Sequence, residues 1–159
     1  MSAPQVSTVP AVRQRIVDLL TDVSELGDIQ VLYGPPRPDS IEQDALWCYA
    51  AQVEHSPSAM AGGGNVRRRE QATLLWTLGV LVEGEEDQAR ADDRAMELFG
   101  VVERTLAANP RLSRTVDGND DLPVIASVAM GSWLLEGGHH ERGRVAVIDF
   151  QIQVQARLA

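Results

Sequence analysis

The chain has 159 residues, 44% of them apolar and 23% charged, which is the balance of one ordinary globular domain. At this length a fold buries roughly 70% of its unfolded surface, so neither a disulfide nor a structural metal is required. The net charge is −9 and all 14 basic residues are arginine, a balance that excludes tight whole-surface binding to DNA or RNA.

Residues 1–8 are rich in Ser, Thr, Pro and Gln and read as a flexible N-terminus, leaving 9–159 as a single domain. They lack a basic region followed by an apolar core, so no signal peptide is expected. Val9, Val12, Ile16, Leu19, Leu20, Val23 and Leu26 recur at helical spacing and predict a first helix. Thr8 suits its N-cap, Pro10 its first turn and Gly27 its stop. A short strand over Ile29–Tyr33 follows and ends at Gly34-Pro35-Pro36.

Leu46 to Val53 predicts a second strand, with Trp47, Tyr49, Ala51 and Val53 on one face. Cys48, the single cysteine, lies within it and reads as a small buried hydrophobe. The stretch from His55 to Asn65 has the composition of a flexible loop. A third strand starts after Arg67-Arg68-Arg69, with Ala72, Leu74, Trp76, Leu78, Val80 and Val82 on its apolar face. Strands two and three form a long hairpin.

Glu85-Glu86-Asp87 opens a second helix, where acids complement the positive helix end. Ala91, Ala95, Leu98, Phe99, Val102 and Leu106 form its apolar stripe, and Asn109-Pro110 stops it. Leu122 to Leu135 reads as a strand weakened or bulged at Gly131. Glu136 to Gly143 reads as a polar hairpin tip. In the closing run, every even position from Ala146 to Leu158 is apolar and every odd position from Asp149 to Arg157 is polar. Side chains alternate across a strand, so one face of this segment is buried and the other meets water or a polar partner. The layered solution is an α+β fold: a single, mainly antiparallel sheet with two helices packed on one face.

The residues supply little reactive chemistry. His139 and His140 are adjacent and point apart on a strand, and His55 is the only other histidine, so no metal site is expected. Gly62-Gly63-Gly64 lacks the Lys-Ser/Thr ending and helix context of a phosphate loop. Glu83, Glu85, Glu86 and Asp87 lack the spacing of a calcium loop. No serine has a nucleophile context, and the pairs Asp92-Asp93 and Asp120-Asp121 have no feature that assigns them acid–base work. Trp47, Trp76 and Trp133 fall in strands and read as core or interface anchors. The expectation is a non-enzymatic protein with no cofactor and no membrane span.

Several segments together resemble the tail terminator (tail completion) proteins of long, non-contractile-tailed bacteriophages. The amphipathic first helix leads into Val31-Leu32-Tyr33-Gly34-Pro35-Pro36. An Arg-Glu start, Arg68-Arg69-Glu70-Gln71, precedes a long strand. An acidic turn precedes a helix holding Arg94-Ala95-Met96-Glu97-Leu98 and Val102-Glu103-Arg104-Thr105-Leu106. That helix exits through Ala108-Asn109-Pro110-Arg111-Leu112, and the last strand ends in Val154-Gln155-Ala156-Arg157. The likeness spans roughly Val9 to Leu158 and is one of pattern, not of catalytic signature.

The resemblance implies a hexameric ring at the head-proximal end of the virion tail, assembled in the host cytoplasm. Such a ring caps the tail tube, ends its polymerisation and docks a head-completion or neck protein, while double-stranded DNA passes through without specific binding. Its partners are further copies of the chain, the major tail tube protein and the neck protein. The partner-interface candidates are Arg67, Arg68, Arg69, His139, His140 and Arg142. Asp149, Gln151, Gln153, Gln155 and Arg157 are candidates for the lumen or a subunit contact. Loops 55–69 and 136–143 are expected to order on docking, and an acidic lumen would repel the DNA backbone. Three other readings stay open: a head-tail joining (stopper) protein of the neck, a small-ligand-binding or enzymatic α+β domain, and a nucleic-acid module acting through Arg67–Arg69.

Overall fold

A computed structural model describes residues 7–36, 44–57, 68–112 and 124–158. The elements are helix α1 (Val9–Thr21), strands β1 (Gln30–Leu32), β2 (Ala45–Pro57) and β3 (Arg68–Glu83), helix α2 (Gln88–Ala108), and strands β4 (Val124–His140) and β5 (Gly143–Leu158). They form one five-stranded sheet in the order β1-β2-β3-β5-β4. Only the short β1–β2 pair is parallel, so the fold is the expected α+β arrangement with a mainly antiparallel sheet.

Alternation builds the core. Leu74, Trp76 and Leu78 of β3 face Ile152, Phe150 and Ile148 of β5, and all six are buried. Helix α2 lies across β3, β5 and β4 and adds Ala91, Ala95, Leu98, Phe99 and Val102. Helix α1 brings Val12, Ile16 and Leu20 to the same cluster. At its centre Phe99 meets Phe150 edge-on at 5.1 Å, and Phe150 stacks on Trp76 at 6.4 Å.

Helix ends follow local chemistry. Asp87 caps α2 by accepting the Ala89 amide at 3.0 Å, so the acidic run precedes the helix instead of entering it. Asn109 closes it by donating its side-chain amide to the Thr105 carbonyl at 2.8 Å. Helix α1 stops at Thr21, short of the predicted end at Leu26. The Val23 backbone is extended, and a 3₁₀ turn over Ser24–Leu26 swings Leu26 into the core.

Two further expectations are corrected. On β2 a bulge between Cys48 and Ala50 breaks the alternation. Leu46 and Cys48 therefore enter the core, Trp47 turns to the opposite face, and Ala51 and Val53 return to the helix side. The predicted polar tip at 136–143 is mostly strand: β4 runs to His140, β5 begins at Gly143, and only Glu141-Arg142 turns. Gly143 makes this tight corner possible, because a Cβ there would lie 2.0 Å from the Val82 carbonyl oxygen. The predicted weakness of β4 at Gly131 is a register shift between Met130 and Trp133.

Candidate assembly surface

No described helix packs on the other side of the sheet. Its centre is formed by Thr73, Leu75 and Thr77 of β3 opposite Gln153, Gln151 and Asp149 of β5. Gln153 and Gln155 are exposed, while Asp149 and Gln151 are half-buried. The Thr77 hydroxyl donates to the Asp149 carboxylate at 2.7 Å, which fixes the one acidic group at the centre of this face. Arg157 continues the same row in β5, opposite Arg69. The five residues that sequence reasoning placed at a lumen or subunit contact thus form one polar row along one strand.

The other candidates fall at two distant ends of the sheet. Arg68 and Arg69 start β3, and Arg67 lies outside the described residues. His139, His140 and Arg142 sit at the β4–β5 corner, beside Glu83 at the far end of β3. At roughly 3.3 Å per residue, the length of β3 separates the two sets by about 50 Å. His139 and His140 are exposed neighbours in a strand, so they point to opposite faces. His140 Nδ1 accepts the Arg142 amide at 3.1 Å, and the Arg142 guanidinium lies 4.0 Å from Glu83. Among the described residues, no group of three or more His, Cys, Asp or Glu side chains is placed to hold a metal.

One depression of about 190 Å³ opens on the helix-free face, lined in part by Tyr49, Leu75, Leu134, Asp149 and Gln151. It is smaller than the roughly 300–1,000 Å³ of a usual small-molecule site. Its carboxylate is already engaged by Thr77. Cys48 is buried, and that burial pushes its thiol up despite the Arg13 charge nearby.

The sequence reading missed one polar cluster. Glu70, at a core-facing position of β3, is buried with its carboxylate against the start of α1. It accepts the Thr8 amide at 2.9 Å, the Thr8 hydroxyl, and His55 Nε2 at 2.8 Å. Thr8, assigned to the flexible tail, is therefore buried and held, and it makes no side-chain cap to α1. Its hydroxyl donates to a charged acceptor instead, the stronger bond. A carboxylate at a helix N-terminus is also favoured by the helix dipole. Burial alone would raise the Glu70 carboxyl, but the hydrogen bonds from Thr8, His55 and Ser7 hold it below the usual Glu value. The signal was present in the sequence: Glu70 falls in phase with Ala72, Leu74 and Trp76.

No protein-family model matches the chain, and no curated protein matches it. Among solved structures the chain is similar to one from the "Virion of native gene transfer agent (GTA) particle", with a TM-score of 0.60 and 11% identity. The match covers 96% of this chain and 99% of that one, so the two share a fold from end to end. No helix among the described residues is long and apolar enough to cross a membrane.

Proposed function

We infer that the protein is a structural component of a phage-like virion, and within it a tail terminator. In this reading copies of the chain form a ring, six by the family resemblance, on the last ring of the tail tube. The ring ends tube growth and presents a docking surface to the head's neck, and the chain performs no catalysis. The observation that supports a place in a phage-like virion is the end-to-end likeness to a chain of the gene transfer agent virion, and the terminator role within it rests on the resemblance of sequence pattern. The surface is compatible with it. Arg69 at the start of β3 and the group His139, His140 and Arg142 at the β4–β5 corner lie at opposite ends of a long sheet, where a ring between two partners needs separate contacts. The row Asp149, Gln151, Gln153 and Gln155 is polar, and the arginine positions Arg157 and Arg69 fall only at its end, which suits a surface that DNA passes with little adhesion.

Negative-stain microscopy of the purified protein, alone and mixed with tail tubes, tests this reading. Six-fold rings on tube ends are the expected result. A chain that stays monomeric and leaves tubes uncapped overturns it, and rings bound only to the neck favour the stopper role.

A further inference from the structure

Among the described residues, the β1-side edge of β2 and the outer edge of β4 are covered along only part of their length. Strand β1 pairs with Ala45–Trp47 of β2, and the Arg13 guanidinium donates to the Cys48 carbonyl at 2.5 Å. From Tyr49 to Pro57 no described strand covers the outer edge of β2. On β4 the Val128 amide donates to the Pro110 carbonyl at 2.8 Å. From Ala129 to His140 no described strand covers that edge. Of the five large apolar side chains exposed among the described residues, four fall in these two stretches. They are Tyr49 at 44% and Val53 at 37% on β2, and Trp133 at 48% and Leu134 at 56% on β4. Open strand edges are templates for further pairing, and apolar side chains along them raise the gain from it.

The polarity of the two edges is complementary. Strands β2, β3, β5 and β4 are antiparallel neighbour to neighbour, so β2 and β4 run in opposite directions. A β4 edge laid beside the β2 edge of another copy therefore continues the same antiparallel sheet. The open stretches are also offset. Trp133 lies level with Cys48 across the sheet, so the open part of β4 extends toward one end and that of β2 toward the other. Pairing them staggers successive copies along the strand direction, the shear that a closed, tilted sheet requires. The contact uses two different surfaces, so it is head-to-tail and generates a ring when the rotation closes.

We propose that copies of this chain join by strand addition, residues 129–140 of one copy pairing antiparallel with residues 49–57 of the next. The proposal rests on the ring reading and names the surface that makes the ring. Both helices stay outside the contact, and the helix-free face becomes continuous around the ring.

Cysteine cross-linking in the full chain tests it. Gln52 and Glu54 of β2 and Leu134 and Glu136 of β4 lie on the helix-free face, where paired strands bring side chains together. Four double variants combine Gln52→Cys or Glu54→Cys with Leu134→Cys or Glu136→Cys, and so scan the register. Cys48 is sealed in the core and does not compete. Oxidation of at least one double variant should give a ladder of covalent multimers ending at the size of the ring, with no ladder from parents carrying one added cysteine. Intact rings in the microscope that yield no ladder from any of the four variants overturn edge pairing and leave the ring reading standing. Protein that remains monomeric, alone and with tail tubes, overturns both.

Discussion

The two faces of strands β3 and β5 are made by the same backbone and meet opposite fates. On one face Leu74–Ile152, Trp76–Phe150 and Leu78–Ile148 are sealed beneath the helices. One residue out of phase, Thr73–Gln153, Leu75–Gln151 and Thr77–Asp149 form a face without a described helix. A slip of one residue would drive the glutamines into the core, so the buried face dictates the register of both. The polar face inherits that register and is free to vary in chemistry, which is where recognition by a partner is least constrained by folding.

The sharpest way to expose this asymmetry is to truncate the buried face. Trp76→Ala removes a fully buried ring stacked on Phe150 and should cost about 3–5 kcal/mol, read as a lower urea midpoint. Trp76→Phe should cost less, because the indole Nε1 has no partner and its loss leaves no broken hydrogen bond. At the β4–β5 corner, Gly143→Ala should lose about 1–3 kcal/mol, since the new Cβ overlaps the Val82 carbonyl. An unchanged thermal midpoint for Gly143→Ala would mean that this corner has room to relax.

Glu70 is the exception on the buried face, a charge among apolar neighbours, and it sharpens the comparison through pH. Glu70→Ala strands the buried Thr8 donors and should cost roughly 1–3 kcal/mol at neutral pH. The folded state holds this carboxyl below its usual value, so it contributes stability that is full above the unfolded-state pKa. That contribution is lost as pH falls through the lower, folded-state pKa. The stability gap between the native chain and Glu70→Gln should therefore narrow in acid. A gap that stays constant from neutral to acid pH would show that the ionised carboxylate is not the stabilising form.

The sequence made one of these faces easy to read and the other hard. Helical spacing located both helices, and period-two alternation located β3 and β5, because a half-buried element writes its geometry into every second or third residue. Strand β2 misled because the bulge after Cys48 shifts the phase, and nothing in Leu46–Val53 marks it. The corner at 136–143 misled because glycine and histidine composition imitates a loop, while β5 supplies the pairing that holds those residues as strand. The candidate surface was legible as a row of polar residues in β5. Its apolar edges were not, because strand order is a property of the whole chain: Tyr49 read only as part of a strand face and Trp133 as a core or interface anchor, and the sheet alone places their strands toward its margins. Glu70 was legible in phase but not in purpose, since its partner Thr8 lies 62 residues away.

The smallest effect on folding is expected where the effect on assembly is expected to be large. Leu134 is more than half exposed and lies on the helix-free side of β4, so Leu134→Gln should change monomer stability by no more than about 0.5 kcal/mol. Gln153→Ala, on the polar row of β5, should be as mild by the same reasoning. If the open edges carry the contact between copies, Leu134→Gln should reduce the fraction of protein in rings, whereas Gln153→Ala should leave it unchanged. Sedimentation at matched concentrations separates the two. Equal loss of rings in both variants would move the contact from the sheet's edge to its open face, and with it the meaning of the polar row. A stability loss of several kcal/mol for Leu134→Gln would mean instead that the monomer itself depends on this side chain.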